Sequence, residues 1–174
     1  MAGEFYLFIN YKQAAGCGHV GFGFSASADR KEYVFGSVDH LTRHNYWDFG
    51  AWIDYTYVAP GEDNDWWCET GDRETMLRQM TASKTHIWYH DYKIFPVMYP
   101  QYEEGKDFAF RLEKMGWAVA SNNCVHQTYE LAKVYGVGGE MLNPWQNTFL
   151  LFPNNWFSKL PGEPNHLREV RGRS

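Results

Sequence analysis

The sequence predicts an α+β domain: apolar runs of strand length crowd residues 4–37, helical periodicity takes over from about residue 70, and no internal repeat or low-complexity stretch interrupts either. Spacing of the early runs is short enough to predict an antiparallel meander, so the architecture expected is a small antiparallel sheet packed against helices. At 174 residues, with 44% hydrophobic and 21% charged side chains, the chain is long enough for one well-filled core. That composition excludes a disordered tail, a collagen-like fibre and a charge-dominated linker. Residues 1–160 are read as a single domain. Residues 161–174, with Pro161, Gly162, Asn165 and Arg171, are read as a flexible C-terminal tail.

Each element has its own signal. Glu4 to Asn10 is an apolar run bounded by Gly3 and the polar Tyr11-Lys12-Gln13, Gly18 to Ser25 is a second, and Glu32 to Ser37 a third. The aromatic stretch from Asp48 to Trp67 carries no assignable period. Thr70 or Asp72 caps a predicted helix to about Ser83 with Met76, Leu77 and Met80 on one face. Tyr92 to Met98 reads as extended, with Pro96 suited to an edge. Phe108, Leu112 and Met115 mark a second helical face ending at Gly116. After the short extended Trp117 to Ala120, Ser121-Asn122-Asn123 starts a helix from about Cys124 to Tyr135, which Gly136 ends.

Charge and cysteine content bound the function. A net charge of −5 argues against the phosphate backbone of nucleic acid as main partner. Three cysteines, Cys17, Cys68 and Cys124, are too few and odd in number for a disulfide framework. The N-terminal apolar run has no basic flank or small-residue cleavage site, and no stretch has membrane-spanning length. The expected location is a reducing cytoplasm, export without a classical leader staying open. Eight Trp, twelve Tyr and twelve Phe predict a deep core or an aromatic-walled cleft.

Two residues carry chemistry in a pattern that points to thiol catalysis. Cys124 falls in the first turn of its helix, where unpaired N–H groups and the helix dipole favour a thiolate and can hold an oxyanion. The plainer reading of the same residue is a small buried apolar side chain. In Gly18-His19-Val20-Gly21-Phe22-Gly23-Phe24, alternation sets Val20, Phe22 and Phe24 on one face and His19, Gly21 and Gly23 on the other. Two glycines beside a histidine predict close approach of a helix end or substrate; the plainer reading is an edge-strand histidine with glycines serving twist. Together, a strand histidine early and a helix-start cysteine late form a Cys/His arrangement.

Asn123-Cys124-Val125-His126, followed by Gln127-Thr128-Tyr129 and closed by Tyr135-Gly136, resembles the Asn-Cys-Glu-His-Phe segment of the lecithin retinol acyltransferase-like proteins. These belong to the circularly permuted branch of the NlpC-type papain-like superfamily. Gly18-His19-Val20-Gly21-Phe22 resembles the histidine strand of that group, where the histidine precedes the cysteine. The resemblance spans two short stretches and their order. It implies a permuted papain-like fold with Cys124 as nucleophile and His19 as base. It also implies a third, orienting residue on the next strand, where Ser37 stands, with Asp39 and His40 just beyond. Val125 replaces the family glutamate.

The expected function is therefore a cysteine-dependent hydrolase of amidase or peptidase type, working through a thioester on a peptide, small-molecule or lipid acyl substrate, without cofactor or metal. Alternatives are acyl transfer between lipids or esters, and a non-catalytic binding module on the same fold with aromatic loops as its recognition surface. Asn123 is read as a helix cap supporting the site. His126, about 200° around the helix from Cys124, is read as structural. His86 and His90, beside Asp91, share a face but lack an evident third ligand. Trp66-Trp67-Cys68 and Pro153-Asn154-Asn155-Trp156-Phe157 are read as loops on the core that are also able to wall a cleft. The acidic run Glu62-Asp63-Asn64-Asp65 lacks the pattern of a calcium loop.

Overall fold

The computed structural model describes residues 2–39, 57–62, 64–82 and 89–167. Its centre is a six-stranded antiparallel sheet in the order β5-β3-β2-β1-β6-β8. The strands are β1 (Gly3–Asn10), β2 (His19–Ser25), β3 (Tyr33–Asp39), β5 (Asp65–Gly71), β6 (Asp91–Val97) and β8 (Asn165–His166). The short strands β4 (Tyr57–Val58) and β7 (Trp117–Ala118) pair separately. The helices are α1 (Arg73–Ala82), α2 (Tyr102–Arg111), α3 (Cys124–Tyr135) and α4 (Pro153–Lys159). An α+β fold with a meander of β1, β2 and β3 is thus what the residue pattern gives.

The sheet is buried on both faces, which explains why β1 reads as a continuous apolar run rather than an alternating one. On one face, Phe5, Leu7, Ile9, Val20, Phe22, Phe24, Val34 and Val38 pack with residues of α3 and α4. On the other, Tyr6, Phe8, Tyr33, Phe35 and Trp67 pack with Met76, Leu77 and Met80 of α1 and with Tyr89. Register sets the two faces, with Leu7 opposite Phe22 and Ile9 opposite Val20 on the α3 face, and Phe8 opposite Gly21 on the α1 face.

Capping fixes the helix bounds. Asp72 Oδ1 accepts the Thr75 amide at 2.7 Å to start α1. Gly136, at φ 107°, ends α3 while its N–H bonds back to the carbonyls of Ala132 and Lys133. The far end of α3 is pinned by Tyr135, whose hydroxyl donates to Ser25 O at 2.9 Å and lies 2.8 Å from Ser25 Oγ.

The tail departs from the flexible segment expected from residue 161. His166 and Asn165 pair with Asp91 and Tyr92 of β6, and Leu167 is fully buried in the α1-side core. His166 Nδ1 lies 2.6 Å from Asp91 Oδ1, which strengthens this two-residue pairing. A strand so short and polar has no pattern to read; residues 168–174 lie outside the described part. Pro96 sits in the length of β6 that β8 does not cover, as its missing N–H requires.

Candidate functional site

His19 is the first residue of β2, and strand alternation turns its ring to the α1 face. There Nε2 lies 3.2 Å from Ser37 Oγ, Trp67 Nε1 donates to the same oxygen at 3.1 Å, and the ring centroid is 5.9 Å from that of Tyr89. His19 and Ser37 are both buried. Of the predicted set, these two are brought together. Asp39 closes β3, but its side chain, and His40 altogether, fall outside the described part.

The glycines beside His19 are filled by protein. A Cβ on Gly21 would collide with the Tyr89 ring and Met80, and one on Gly23 with Met76 Sδ. The close approach that the glycines predict is therefore made by the flank of α1 and by Tyr89.

Cys124 is the first residue of α3 and only 5% exposed, within the α3-side core. Its stripe, with Thr128, Leu131 and Tyr135, runs along one side of the helix. Tyr135 reaches Ser25 at the far end of β2, and the helix rises about 1.5 Å per residue, so Cys124 lies about 16 Å back toward the His19 end. Thiol and imidazole thus share one end of the sheet but not one face. Among the described residues no Cys124–His19 hydrogen bond is formed. Parity is the cause: Val20, Phe22 and Phe24 face α3, which commits His19 to the opposite side.

Asn123 is the helix cap expected of it, and more. Its Oδ1 accepts the amides of Val125 at 3.0 Å and His126 at 3.4 Å, while His126 Nδ1 accepts the Asn123 amide at 3.3 Å. Two of the helix-start amides expected to hold an oxyanion are thereby occupied, leaving that of Cys124 itself uncapped by Asn123. His126 is structural, as its position predicts: it is 1% exposed, and burial pushes its pKa down to about 4, keeping it neutral. Among the described residues its Nε2 has no hydrogen-bond partner, and the Trp145 ring stands against it with centroids 4.0 Å apart.

Elsewhere the expected clusters resolve into packing. Trp67 joins the α1-side core, and Trp66 Nε1 donates to Ala109 O at 3.0 Å. Burial, with the Glu69 charge beside it, pushes the Cys68 thiol up to about 12. Trp156 and Phe157 are buried in α4. His90 Nδ1 accepts the Tyr11 amide at 3.2 Å, while His86 lies outside the described part. Among the described residues no group of three or more His, Cys, Asp or Glu is placed to hold a metal.

What the motif reading passed over is the loop that roofs the start of α3. Residues 142–152 present Leu142, Trp145, Phe149 and Phe152 to solvent, Phe149 at 70% exposure. The same loop is fixed from within. Asn143 Oδ1 accepts the Trp145 amide and Asn147 Oδ1 the Phe149 amide, each at 2.9 Å. Asn123 Nδ2 donates to Leu151 O, Asn155 Nδ2 to Phe149 O and Trp156 Nε1 to Leu142 O. Against it opens a hollow of about 490 Å³ lined by Leu142, Asn147, Phe149, Leu150, Asn155 and Lys159. The signal present in sequence is two asparagines, each two residues before a ring, a spacing that favours Asx turns. No family model matches this chain, and no curated protein or solved structure matches it.

Proposed function

We propose that the chain is a binding module whose recognition surface is the aromatic loop 142–152. One observation carries this reading: the loop fixes its backbone with asparagine and tryptophan hydrogen bonds while holding Trp145, Phe149 and Phe152 in water. Rings held in water on a loop are available to a partner, and a pre-formed loop loses little conformational entropy on binding. The experiment is binding of the apolar dye anilinonaphthalene sulfonate to the native protein. Binding weakened about fivefold or more by Phe149→Ser, with the unfolding midpoint unchanged, is the expected result. Absence of native-state binding overturns the reading.

A second reading, a permuted papain-like thiol hydrolase or acyltransferase, is favoured by Cys124 standing at the first position of α3, at the His19 end of the sheet, with its own amide uncapped by Asn123. In that reading His19 takes the Cys124 thiol proton and the thiolate attacks an acyl carbonyl, the amide steadying the oxyanion. Its collapse to a thioester expels an amine or alcohol that leaves with the proton His19 returns, after which water hydrolyses the thioester. This reading requires the imidazole to leave Ser37 and come round the start of β2. Rapid alkylation of Cys124 by iodoacetamide at low pH, lost in His19→Ala, selects this reading. Slow alkylation that ignores the His19 substitution rejects it.

A further inference from the structure

The hollow beside the aromatic loop carries hydrogen-bonding groups on a mostly apolar wall. Leu142, Leu150 and the Phe149 ring line it together with Asn147, Asn155 and Lys159. Each of the three polar side chains keeps atoms that have no partner among the described residues. Asn147 commits its Oδ1 to the Phe149 amide and keeps both donors of Nδ2. Asn155 commits Nδ2 to Phe149 O and keeps Oδ1 as an acceptor, and Lys159 keeps the donors of Nζ. From this set we infer that the hollow binds a neutral saccharide, one face of a sugar ring lying on Phe149 and its hydroxyls meeting Asn147, Asn155 and Lys159; this rests on reading the loop as a recognition surface.

The chemistry of the wall favours a sugar over other ligands. A hydroxyl both donates and accepts, so a ring bearing several of them can use donors and an acceptor set side by side, whereas a purely apolar ligand would desolvate those groups without replacing their water. The C–H groups on one face of a pyranose make an apolar patch that packs on an aromatic ring. At about 490 Å³ the hollow is of small-molecule size. An extended peptide fits less well, because its backbone needs a free strand edge and the main chain here is already engaged. Phe149 N–H donates to Asn147 Oδ1, Phe149 O accepts Asn155 Nδ2, and Leu150 N–H donates to Asn147 O at 2.9 Å. An anion also fits less well: the lining offers one lysine and no arginine fork, and Glu140 stands exposed just before Leu142. A neutral ligand is indifferent to that carboxylate.

The test is titration of the full chain with three neutral tetrasaccharides, cellotetraose, chitotetraose and maltotetraose, read by calorimetry and by the side-chain amide NMR signals of Asn147 and Asn155. At least one binds with a Kd of about 1 mM or tighter and shifts those signals. Asn147→Asp keeps the oxygen that turns the loop but lacks the Nδ2 donors, and weakens that binding about tenfold with the unfolding midpoint unchanged. Lys159→Met, which keeps the aliphatic stem, weakens it about threefold. No binding of any of the three at about 10 mM overturns the proposal, as does binding that both variants leave unchanged. Dye binding at the loop without saccharide binding removes only the sugar and leaves the recognition surface standing; absence of both removes the surface as well.

Discussion

The two faces of the central sheet meet the same problem, covering a run of large apolar side chains, with different means. The α3 face is covered by regular, well-capped helices, and Cys124 is one more small side chain in that packing. The α1 face is covered at its centre by methionines seated on glycines, and at one end by a polar set: His19, Ser37, Trp67 and Tyr89. The thiol belongs to the first face and the imidazole to the second. A Cys/His pair that agrees in order along the chain can therefore still be divided by a single strand, because one residue of parity decides the face.

The largest loss of stability is expected from filling the space that admits α1. Gly21→Leu forces a side chain into Tyr89 and Met80 and is expected to cost about 3 kcal/mol or more, read as a lowered denaturant midpoint. On the opposite face, Lys93 is buried and its Nζ donates to Phe157 O at 3.1 Å and Leu160 O at 2.6 Å, closing the C-terminal end of α4. Lys93→Met keeps the bulk, strands both carbonyls and is expected to cost about 2 kcal/mol by the same measurement.

His126 sharpens the contrast through pH. Its folded pKa of about 4 lies below the ordinary 6.5, so the unfolded chain takes up the proton first. Its contribution to stability is full above pH 6.5, declines as pH falls and is exhausted near pH 4. The expected loss is on the order of 3 kcal/mol, seen as a drop in unfolding midpoint across that window which His126→Gln lacks. The smallest effect is expected from Tyr135→Phe, which removes the hydroxyl contacts to Ser25 at the far end of α3 for about 1 kcal/mol.

Much of this fold is legible in sequence where a local rule suffices. Asp72, Asn123 and Gly136 mark helix ends, whereas α2 stops at Arg111, short of Gly116, and the alternation of Gly18 to Phe24 assigns each side chain of β2 to its face correctly. What alternation cannot say is which helix covers which face, a property of topology rather than of any local pattern. The sequence reading therefore pairs His19 with the start of α3, whereas α1 and Tyr89 occupy that side. Ser37 is placed near His19 only through the family resemblance, which sets a polar residue on the next strand; β8 is not legible, because two polar residues carry no period. The exposed rings of 142–152 stayed hidden because aromatic content alone does not separate core from surface.

The separation of Cys124 and His19 onto opposite faces of the sheet decides between the two functional readings. It is tested most directly by following the His19 imidazole through a pH titration by NMR, in the native chain and in Cys124→Ser. Superimposable titration curves are the predicted result. A His19 curve displaced to lower pH by the loss of the thiol would reveal a thiolate beside the ring and contradict the separation described.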